Sequence, residues 1–234
     1  FGDVNPSGKL AETFPRRLED NPSYLYFFGD EQNKTEYREG VFVGYRYYDK
    51  KNMDVLFPFG YGLSYTTFEY SNLTLDKSKM KDTDTLTVSV NVRNTGKVKG
   101  KEVVQLYVGM PESHTIRPIK ELRGFEKVEL EPGEEKTVTF TLAKRAFAYY
   151  RTDISDWYVE SGDYTIMAAK SSRDIACTAT VNVTSTTQIK RVYTMNSTIE
   201  EIMESPVGRE ILGKMMAQNP LAQADADDIG MGEA

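Results

Sequence analysis

Apolar and polar residues alternate along residues 68–183. A two-residue period places successive side chains on opposite faces of a β-strand. The clearest run puts Leu86, Val88, Val90 and Val92 on one face. Four further runs share this period: Val104/Leu106/Val108; Val138/Phe140/Leu142; Tyr164/Ile166/Ala168; and Ile175/Cys177/Ala179/Val181/Val183. Turn signals separate them at Asn94-Thr95-Gly96, Glu131-Pro132-Gly133 and Ser161-Gly162-Asp163.

This spacing predicts the fold class. About seven or eight short strands in about 115 residues, with no helical period between them, are typical of an antiparallel two-sheet sandwich of the fibronectin III or immunoglobulin type. The protein is therefore predicted to be mainly β. Because both inner faces come from residues 68–183, we expect this part of the chain to form an independent sandwich.

The two flanks of this region have other patterns. Residues 1–66 are rich in proline, glycine and aromatic residues, which predicts an irregular connection whose rings another surface must cover. After the strands, Thr198 and Glu201 form a capping box ahead of one short helix, and Ser205-Pro206 begins a second. Residues 219–234 are acidic and small, as in a mobile tail.

The negative net charge of the chain argues against two classes of binding partner. The net charge is −6 and the pI about 5.1, so we expect neither nucleic acid nor an anionic membrane as a partner. No apolar run is long enough to span a bilayer, and the first residues lack the basic and apolar regions of a signal peptide. The Asn-x-Ser/Thr sequons at Asn33, Asn72, Asn182 and Asn196 would be glycosylated only if the protein entered a secretory pathway. A cytoplasmic bacterial location and a secreted one both stay open.

Three stretches together resemble glycoside hydrolase family 3. Phe1 to Leu10, with Thr13-Phe14-Pro15, looks like the closing segment of the family's α/β domain. The crossing segment out of that domain is similar to residues 39–49 (EGVFVGYRYYD) and 57–66 (FPFGYGLSYT). Residues 121–125 (ELRGF), 128–133 and 162–164 resemble the family's fibronectin type III-like domain. The three stretches occur in the same order as in the family.

The resemblance implies the following domain organisation. Residues 1–66 would be the end of the α/β sandwich domain and the crossing segment, and residues 67–184 the fibronectin III-like sandwich. Residues 185–218 would form a linker with short helices, followed by the tail at 219–234. The partners would be the enzyme's barrel and the rest of its α/β sandwich, and the parent substrate a β-glucoside or oligosaccharide.

The chemistry implied by the resemblance is retaining hydrolysis. An Asp nucleophile from the barrel and a Glu acid/base from the α/β domain would stand roughly 5–5.5 Å apart. The part of the α/β domain that carries the acid/base would lie upstream of Phe1, so no residue of this chain inherits a catalytic role. We expect no catalytic, cofactor-binding or metal-binding residue and no cofactor.

Several residues invite functional interpretations against this expectation. Ser155-Asp156-Trp157 looks like the family's nucleophile context, but its place among the strands favours a structural role. The acidic groups Asp82/Asp84, Glu131/Glu134/Glu135 and Asp225/Asp227/Asp228 are interpreted as solvated charge rather than a calcium site. His114, the single histidine, is interpreted as a surface residue, and Cys177, the single cysteine, as buried and inert.

Three hypotheses about function follow. The first is a non-catalytic structural portion of a β-glucosidase-like enzyme, in which the segment from Tyr24 to Tyr65 meets the other domains. The second is a stand-alone carbohydrate or cell-surface binding module, for which a fibronectin-like sandwich is a suitable scaffold. Separately, aromatic residues between 24 and 65 could stack on sugar rings at the rim of a subsite. The third is a small hydrolase that uses Asp156.

Overall fold

The computed structural model describes residues 2–27, 34–189, 194, 196–203 and 205–218. These residues divide into two compact units, which end and begin at Thr187 and Gln188. The sequon at Asn33 and the acidic residues predicted to form a mobile tail lie outside the described residues. The predicted domain boundaries at 66/67 and 184/185 stay predictions.

Twelve strands and three α-helices make up the described chain. The strands are β1 (Phe14–Pro15), β2 (Val55–Phe57), β3 (Phe68–Leu75), β4 (Lys79–Lys81), β5 (Leu86–Asn94), β6 (Gly100–Gly109), β7 (Glu121–Leu130), β8 (Glu135–Leu142), β9 (Tyr149–Arg151), β10 (Asp156–Tyr158), β11 (Gly162–Ala169) and β12 (Ile175–Thr184). The helices are α1 (Tyr45–Lys50), α2 (Ile199–Met203) and α3 (Pro206–Gln218), and single 3₁₀ turns occur at Leu18–Asp20 and Lys144–Ala146.

Two sheets form the predicted sandwich. One has three strands in the order β3-β5-β8, all antiparallel. The other has five strands in the order β4-β12-β11-β6-β7, antiparallel except for the short parallel pair of β4 with β12. The strands β9 and β10 form a separate hairpin. The mainly β, two-sheet fold class predicted from the alternation is confirmed.

The core lies between the inner faces of the two sheets. In β5 the four predicted inward residues, Leu86, Val88, Val90 and Val92, are fully buried. Inward residues of the opposite sheet meet them, among them Leu106 and Ile166. The two-residue period was therefore a correct guide to which side chains are buried.

The outer face of the five-stranded sheet is also covered, which the alternation does not reveal. Tyr107 of β6 points away from the main core and yet is fully buried, in a second cluster with Tyr45, Phe59 and Ala169. Tyr45 stacks on Phe59 with ring centroids 4.8 Å apart, and its ring meets Tyr107 edge-on. Residues 45–59 thus form a third layer over part of the sandwich.

Two local expectations need correction. Ser161-Gly162-Asp163 is not a turn, because Gly162 already begins β11 and pairs with Val183. Residues 1–66 also contain more regular structure than their glycines and prolines indicated: the helix α1 and the small sheet β1-β2. Both elements are held by contacts to distant residues, which a local pattern does not show.

The second unit contains α2 and α3. Thr198 and Glu201 form the predicted capping box: the Thr198 amide donates to the Glu201 carboxylate (2.9 Å), and the Glu201 amide donates to Thr198 Oγ1 (3.2 Å). Ser205 Oγ accepts from the Gly208 amide at 2.8 Å, with Pro206 as the first helical residue. Both predicted helix starts are confirmed. Within the described residues, no helix has the length and apolar character needed to cross a bilayer.

Candidate functional site

Asp156, the one residue with a nucleophile-like context, lies on the hairpin of β9 and β10. Its side chain is exposed, and the residue opposite it across the hairpin is Arg151. Its Oδ1 accepts a hydrogen bond from the amide of Trp157 at 2.7 Å. A retaining hydrolase needs a second carboxyl group and an enclosed sugar site beside the nucleophile. The exposed hairpin position supports the structural interpretation of Asp156, which stays a prediction.

The other acidic and nucleophilic candidates take part in local structure. Asp82 is fully buried and accepts from the amide of Thr186 at 2.8 Å, and Glu134 caps the amide of Glu131 at 2.7 Å. Cys177 is half-buried in β12, and burial raises the pKa of its thiol. Among the described residues, no group of three or more His, Cys, Asp or Glu side chains is arranged to hold a metal ion. Asp225, Asp227 and Asp228 lie outside those residues.

His114 is exposed, as expected, but it has a buried partner. Its Nδ1 lies 2.6 Å from Glu160 Oε1, and its backbone amide donates to the same oxygen at 2.9 Å. Ser113 Oγ donates to the other oxygen at 2.7 Å. Burial raises the pKa of Glu160, but these hydrogen bonds outweigh it and lower that pKa below its ordinary value of 4.5. The interaction fixes the loop that contains His114.

The segments that resemble family motifs come together at one edge of the sandwich. Asn5 accepts a hydrogen bond from the amide of Tyr65 at 2.7 Å and contacts Ser64 Oγ. Lys9 forms an ion pair of 3.1 Å with Glu102 of β6. The backbones of Leu10 and Tyr61 are hydrogen-bonded as well. Residues 5–10 and 60–65 therefore form one layer on the sandwich, although some 50 residues separate them in the chain.

The glycine of the FPFGYG stretch is required by this packing. Gly60 has a φ of +80°, which disfavours any residue with a Cβ. An added Cβ would collide with the side chain of Gln105. That side chain donates to the Gly60 carbonyl at 3.0 Å and accepts from Tyr107 Oη at 2.7 Å. Gly60 thus lets the segment approach the outer face of β6.

A buried ion-pair group, the Asp49 clasp, fastens α1 to the sandwich. Asp49 has a side chain only 7% exposed. Its Oδ2 accepts from Lys120 Nζ at 2.7 Å, and its Oδ1 accepts from Arg173 Nε at 3.0 Å. Arg173 also donates to the carbonyl of Met53 at 2.7 Å. The alternation of apolar and polar residues does not reveal these contacts. The spacing of Tyr45, Tyr48 and Asp49 on one helical face was the available signal.

Large apolar side chains remain exposed on the N-terminal segment in spite of this packing. Among the described residues, ten in the first 66 are more than half exposed, against two in residues 67–187. The ten are Val4, Leu18, Leu25, Phe27, Tyr37, Val41, Val43, Leu56, Leu63 and Tyr65, and the two are Ile116 and Phe125. A contiguous exposed apolar surface usually marks an interaction site. We call these ten residues the N-terminal apolar surface.

Two family profiles match the chain. Residues 1–45 match the profile described as the glycosyl hydrolase family 3 C-terminal domain, and residues 102–172 match the fibronectin type III-like domain. Both matches fall where the resemblance of the motifs placed them. The first covers the beginning of the N-terminal segment, and the second covers most of the five-stranded sheet.

Curated relatives are similar over most of this chain but are much longer. Thermostable beta-glucosidase B of Acetivibrio thermocellus is 56% identical over 97% of this chain, which covers 30% of that protein. Beta-glucosidase BoGH3A of Bacteroides ovatus is 46% identical over 76%, covering 24% of it. An exo-alpha-(1->6)-L-arabinopyranosidase of Bifidobacterium breve is 45% identical over 93%, covering 28% of it. The chain thus spans less than a third of the length of these relatives.

Solved structures are likewise similar over most of this chain and are much longer. The family 3 beta-glucosidase of Bifidobacterium adolescentis superposes with a TM-score of 0.80 at 43% identity, over 91% of this chain and 31% of that one. A beta-glucosidase of Kluyveromyces marxianus superposes with a TM-score of 0.72 at 46% identity, over 77% of this chain and 21% of that one. In both cases the likeness extends well beyond the matched profiles.

Proposed function

Since the chain belongs to glycoside hydrolase family 3, in which it corresponds to the C-terminal region with the fibronectin type III-like domain, we propose that it is a structural, non-catalytic portion of a larger enzyme. That enzyme hydrolyses β-glycosidic bonds by a retaining mechanism with carboxyl groups supplied by its other domains. We assign no catalytic, cofactor-binding or metal-binding residue to this chain.

One observation carries the proposal: the N-terminal apolar surface is exposed although its own segment is firmly attached to the sandwich. The Asp49 clasp, the Tyr45–Phe59–Tyr107 cluster and the Asn5–Tyr65 contact fix one side of that segment. The same segment also carries ten exposed apolar side chains. Exposed apolar groups concentrated on one segment fit an interaction surface between domains.

The partner in this proposal is the remainder of the enzyme, namely its barrel and the rest of its α/β domain. The relatives support this arrangement because the matched region is less than a third of each. The sandwich then acts as a rigid support, and the N-terminal segment is the part that contacts the catalytic domains. The sugar and linkage are not assigned, since the similar proteins include both beta-glucosidases and an arabinopyranosidase.

The experiment mixes this chain with the separately expressed remainder of the enzyme. We expect the chain alone to hydrolyse no aryl β-glucoside above the buffer rate, and the mixture to be active. Leu63→Asp should abolish both association and activity, because it places a charge in the proposed apolar interface. Phe125→Asp is the matched control, since Phe125 is 67% and Leu63 70% exposed, and it should leave both unchanged.

Two results would contradict the proposal. Turnover by the purified chain alone that disappears in Asp156→Asn would make this chain a hydrolase in its own right. Loss of association in Phe125→Asp but not in Leu63→Asp would place the interface on the sandwich. Hydrogen exchange locates the contact independently: residues 24–65 should gain more protection in the mixture than residues 85–142.

A further inference from the structure

A cleft of about 580 Å³ is lined by five arginines. It lies between α1, the loop before β7, the start of β7 and the β9-β10 hairpin. The arginines are Arg46, Arg117, Arg123, Arg145 and Arg151, and two carboxylates, Glu121 and Asp153, share the cleft with them. Such a concentration of guanidinium groups is notable in a chain whose net charge is −6.

The two carboxylates do not balance these charges. Arg151 and Asp153 form a bidentate pair with N–O distances of 2.9 and 2.6 Å, so they neutralise each other. Glu121 is the other carboxylate, and its Oε2 accepts from Arg123 Nη2 at 2.6 Å. Four guanidinium groups then remain against one carboxylate, which leaves an excess of three positive charges in the cleft.

Glu121 is also too far from two of these arginines to bond them. Arg117 Nη2 lies 3.7 Å from Glu121 Oε2, and Arg46 Nε lies 3.8 Å from Glu121 Oε1. Both distances exceed the range of a hydrogen bond. The carboxylate therefore attracts these groups without satisfying their N–H donors.

Several guanidinium donors in the cleft are buried and find no acceptor in the part of the chain that the structure describes. The side chain of Arg117 is only 7% exposed, and its Nε and Nη1 find no acceptor in hydrogen-bonding geometry among the described residues. The same holds for Nε of Arg46 and of Arg123. Leaving a buried charged donor unsatisfied is costly, more so than for a neutral one. Burial lowers the pKa of Arg123, and its positive neighbours lower it further, although Glu121 opposes both effects.

We propose that this cleft binds an oxyanion, either a phosphate group or a carboxylate. Guanidinium groups are suited to this because their planar N–H donors match two oxygens of such a group at once. The bound oxygens would accept from the buried donors of Arg117 and from Arg46, opposite Glu121. The centroid of the Tyr149 ring lies 5.3 Å from the Arg117 guanidinium carbon, so a cation–π contact also holds that side chain. Val41 belongs both to the lining of this cleft and to the N-terminal apolar surface, so the two sites adjoin. Binding of an oxyanion by the chain alone does not depend on the proposed domain role.

The test is a titration of the full chain with sodium phosphate and with sodium acetate, each at the same ionic strength as a sodium chloride reference. Calorimetry or thermal denaturation reports the binding. We expect at least one of the two anions, phosphate or acetate, to bind more tightly than chloride does at the same ionic strength. Phosphate alone would indicate a free phosphate group as the ligand, whereas binding of both would indicate a carboxylate as well. Binding of neither probe would overturn the proposal.

Variants tie the binding to the cleft. Arg117→Gln should weaken the binding about tenfold or more, because it removes charge-assisted hydrogen bonds. Glu121→Gln should strengthen it, because it removes the competing negative charge. Arg93→Gln, at an exposed position of β5, is the control and should have no effect. If Arg117→Gln does not fold, Arg46→Gln, at a partly exposed position, serves in its place. Unchanged affinity in the folded arginine variant would refute the site.

Discussion

Phe140 illustrates how the position of a residue in a strand determines how much stability is lost when its side chain is truncated. Its side chain is 9% exposed, faces the core from β8, and lies against Gly124 of the opposite sheet, where an added Cβ would meet the ring. Phe140→Ala should therefore lower the free energy of unfolding by about 3–5 kcal/mol. Chemical denaturation monitored by circular dichroism measures this value. Thr141→Ala, at the next, outward position, should change it by less than about 0.5 kcal/mol.

Ionisation of Glu160 makes the stability of the fold depend on pH in the acidic range. The folded-state pKa of Glu160 lies below its ordinary value of 4.5, so its ionised form contributes stability that is complete above that value. That contribution is lost as the pH falls through the folded pKa. At neutral pH Glu160→Gln should cost about 1–3 kcal/mol, because it weakens the bonds to Ser113 and His114.

The difference in unfolding free energy between the wild type and Glu160→Gln, measured as a function of pH, separates the contribution of Glu160 from that of the other carboxylates. It should stay constant from pH 6 to about the ordinary pKa of 4.5 and shrink below that, towards the folded pKa of Glu160. A difference that stayed constant over the whole range would show that folding does not lower the pKa of Glu160.

At the scale of elements, the attachment of α1 depends on the Asp49 clasp rather than on helix propensity. A helix of six residues is too short to be stable by itself. Asp49→Ala would leave Lys120, whose side chain is 11% exposed, without its partner. We expect a loss of about 3 kcal/mol in unfolding free energy, since one member of a buried pair is removed.

Asp54 supplies the matched control for this prediction. Its ion pair with Arg16 has an N–O distance of 3.9 Å and is largely exposed. Asp54→Ala should therefore change the free energy of unfolding by less than about 1 kcal/mol. Equal losses for the two alanine variants would mean that the clasp does not hold the helix.

Elements whose determinants are local could be predicted from the sequence. The strands of the sandwich follow from a two-residue period. The start of α2 follows from the capping box of Thr198 and Glu201, and the start of α3 from Ser205-Pro206. By contrast, α1 is fixed by Lys120 and Arg173, which lie 71 and 124 positions from Asp49. The strand β1 is fixed by its pairing with β2, in which Phe14 lies opposite Phe57. The arginine cleft escaped prediction for the same reason, because Arg46 and Arg151 meet only once the sheets have formed.

At the scale of the whole molecule, the first unit has three layers, and this bears on the expected independence of the sandwich. A chain of residues 67–187 keeps both inner faces but loses Tyr45 and Phe59 from the outer face of β6 and β11. We expect it to fold with a free energy of unfolding lower by about 3 kcal/mol or more. Thermal denaturation of the two chains, and binding of a dye that reports exposed apolar surface, measure this. Equal melting temperatures would show that the third layer adds no stability.

The order of these layers along the chain also affects how the protein is made. The covering layer, residues 45–59, leaves the ribosome before the sheet that it covers, and its contacts await β6, β7 and the turn that contains Arg173. Contacts that join residues more than 100 positions apart slow folding, since they form only after a long loop has closed. Until Arg173 has been synthesised, Asp49 lacks one of its two partners. Attachment of the third layer, residues 45–59, should accordingly be among the last steps of folding. A nascent chain that stops before residue 173 should leave α1 undocked.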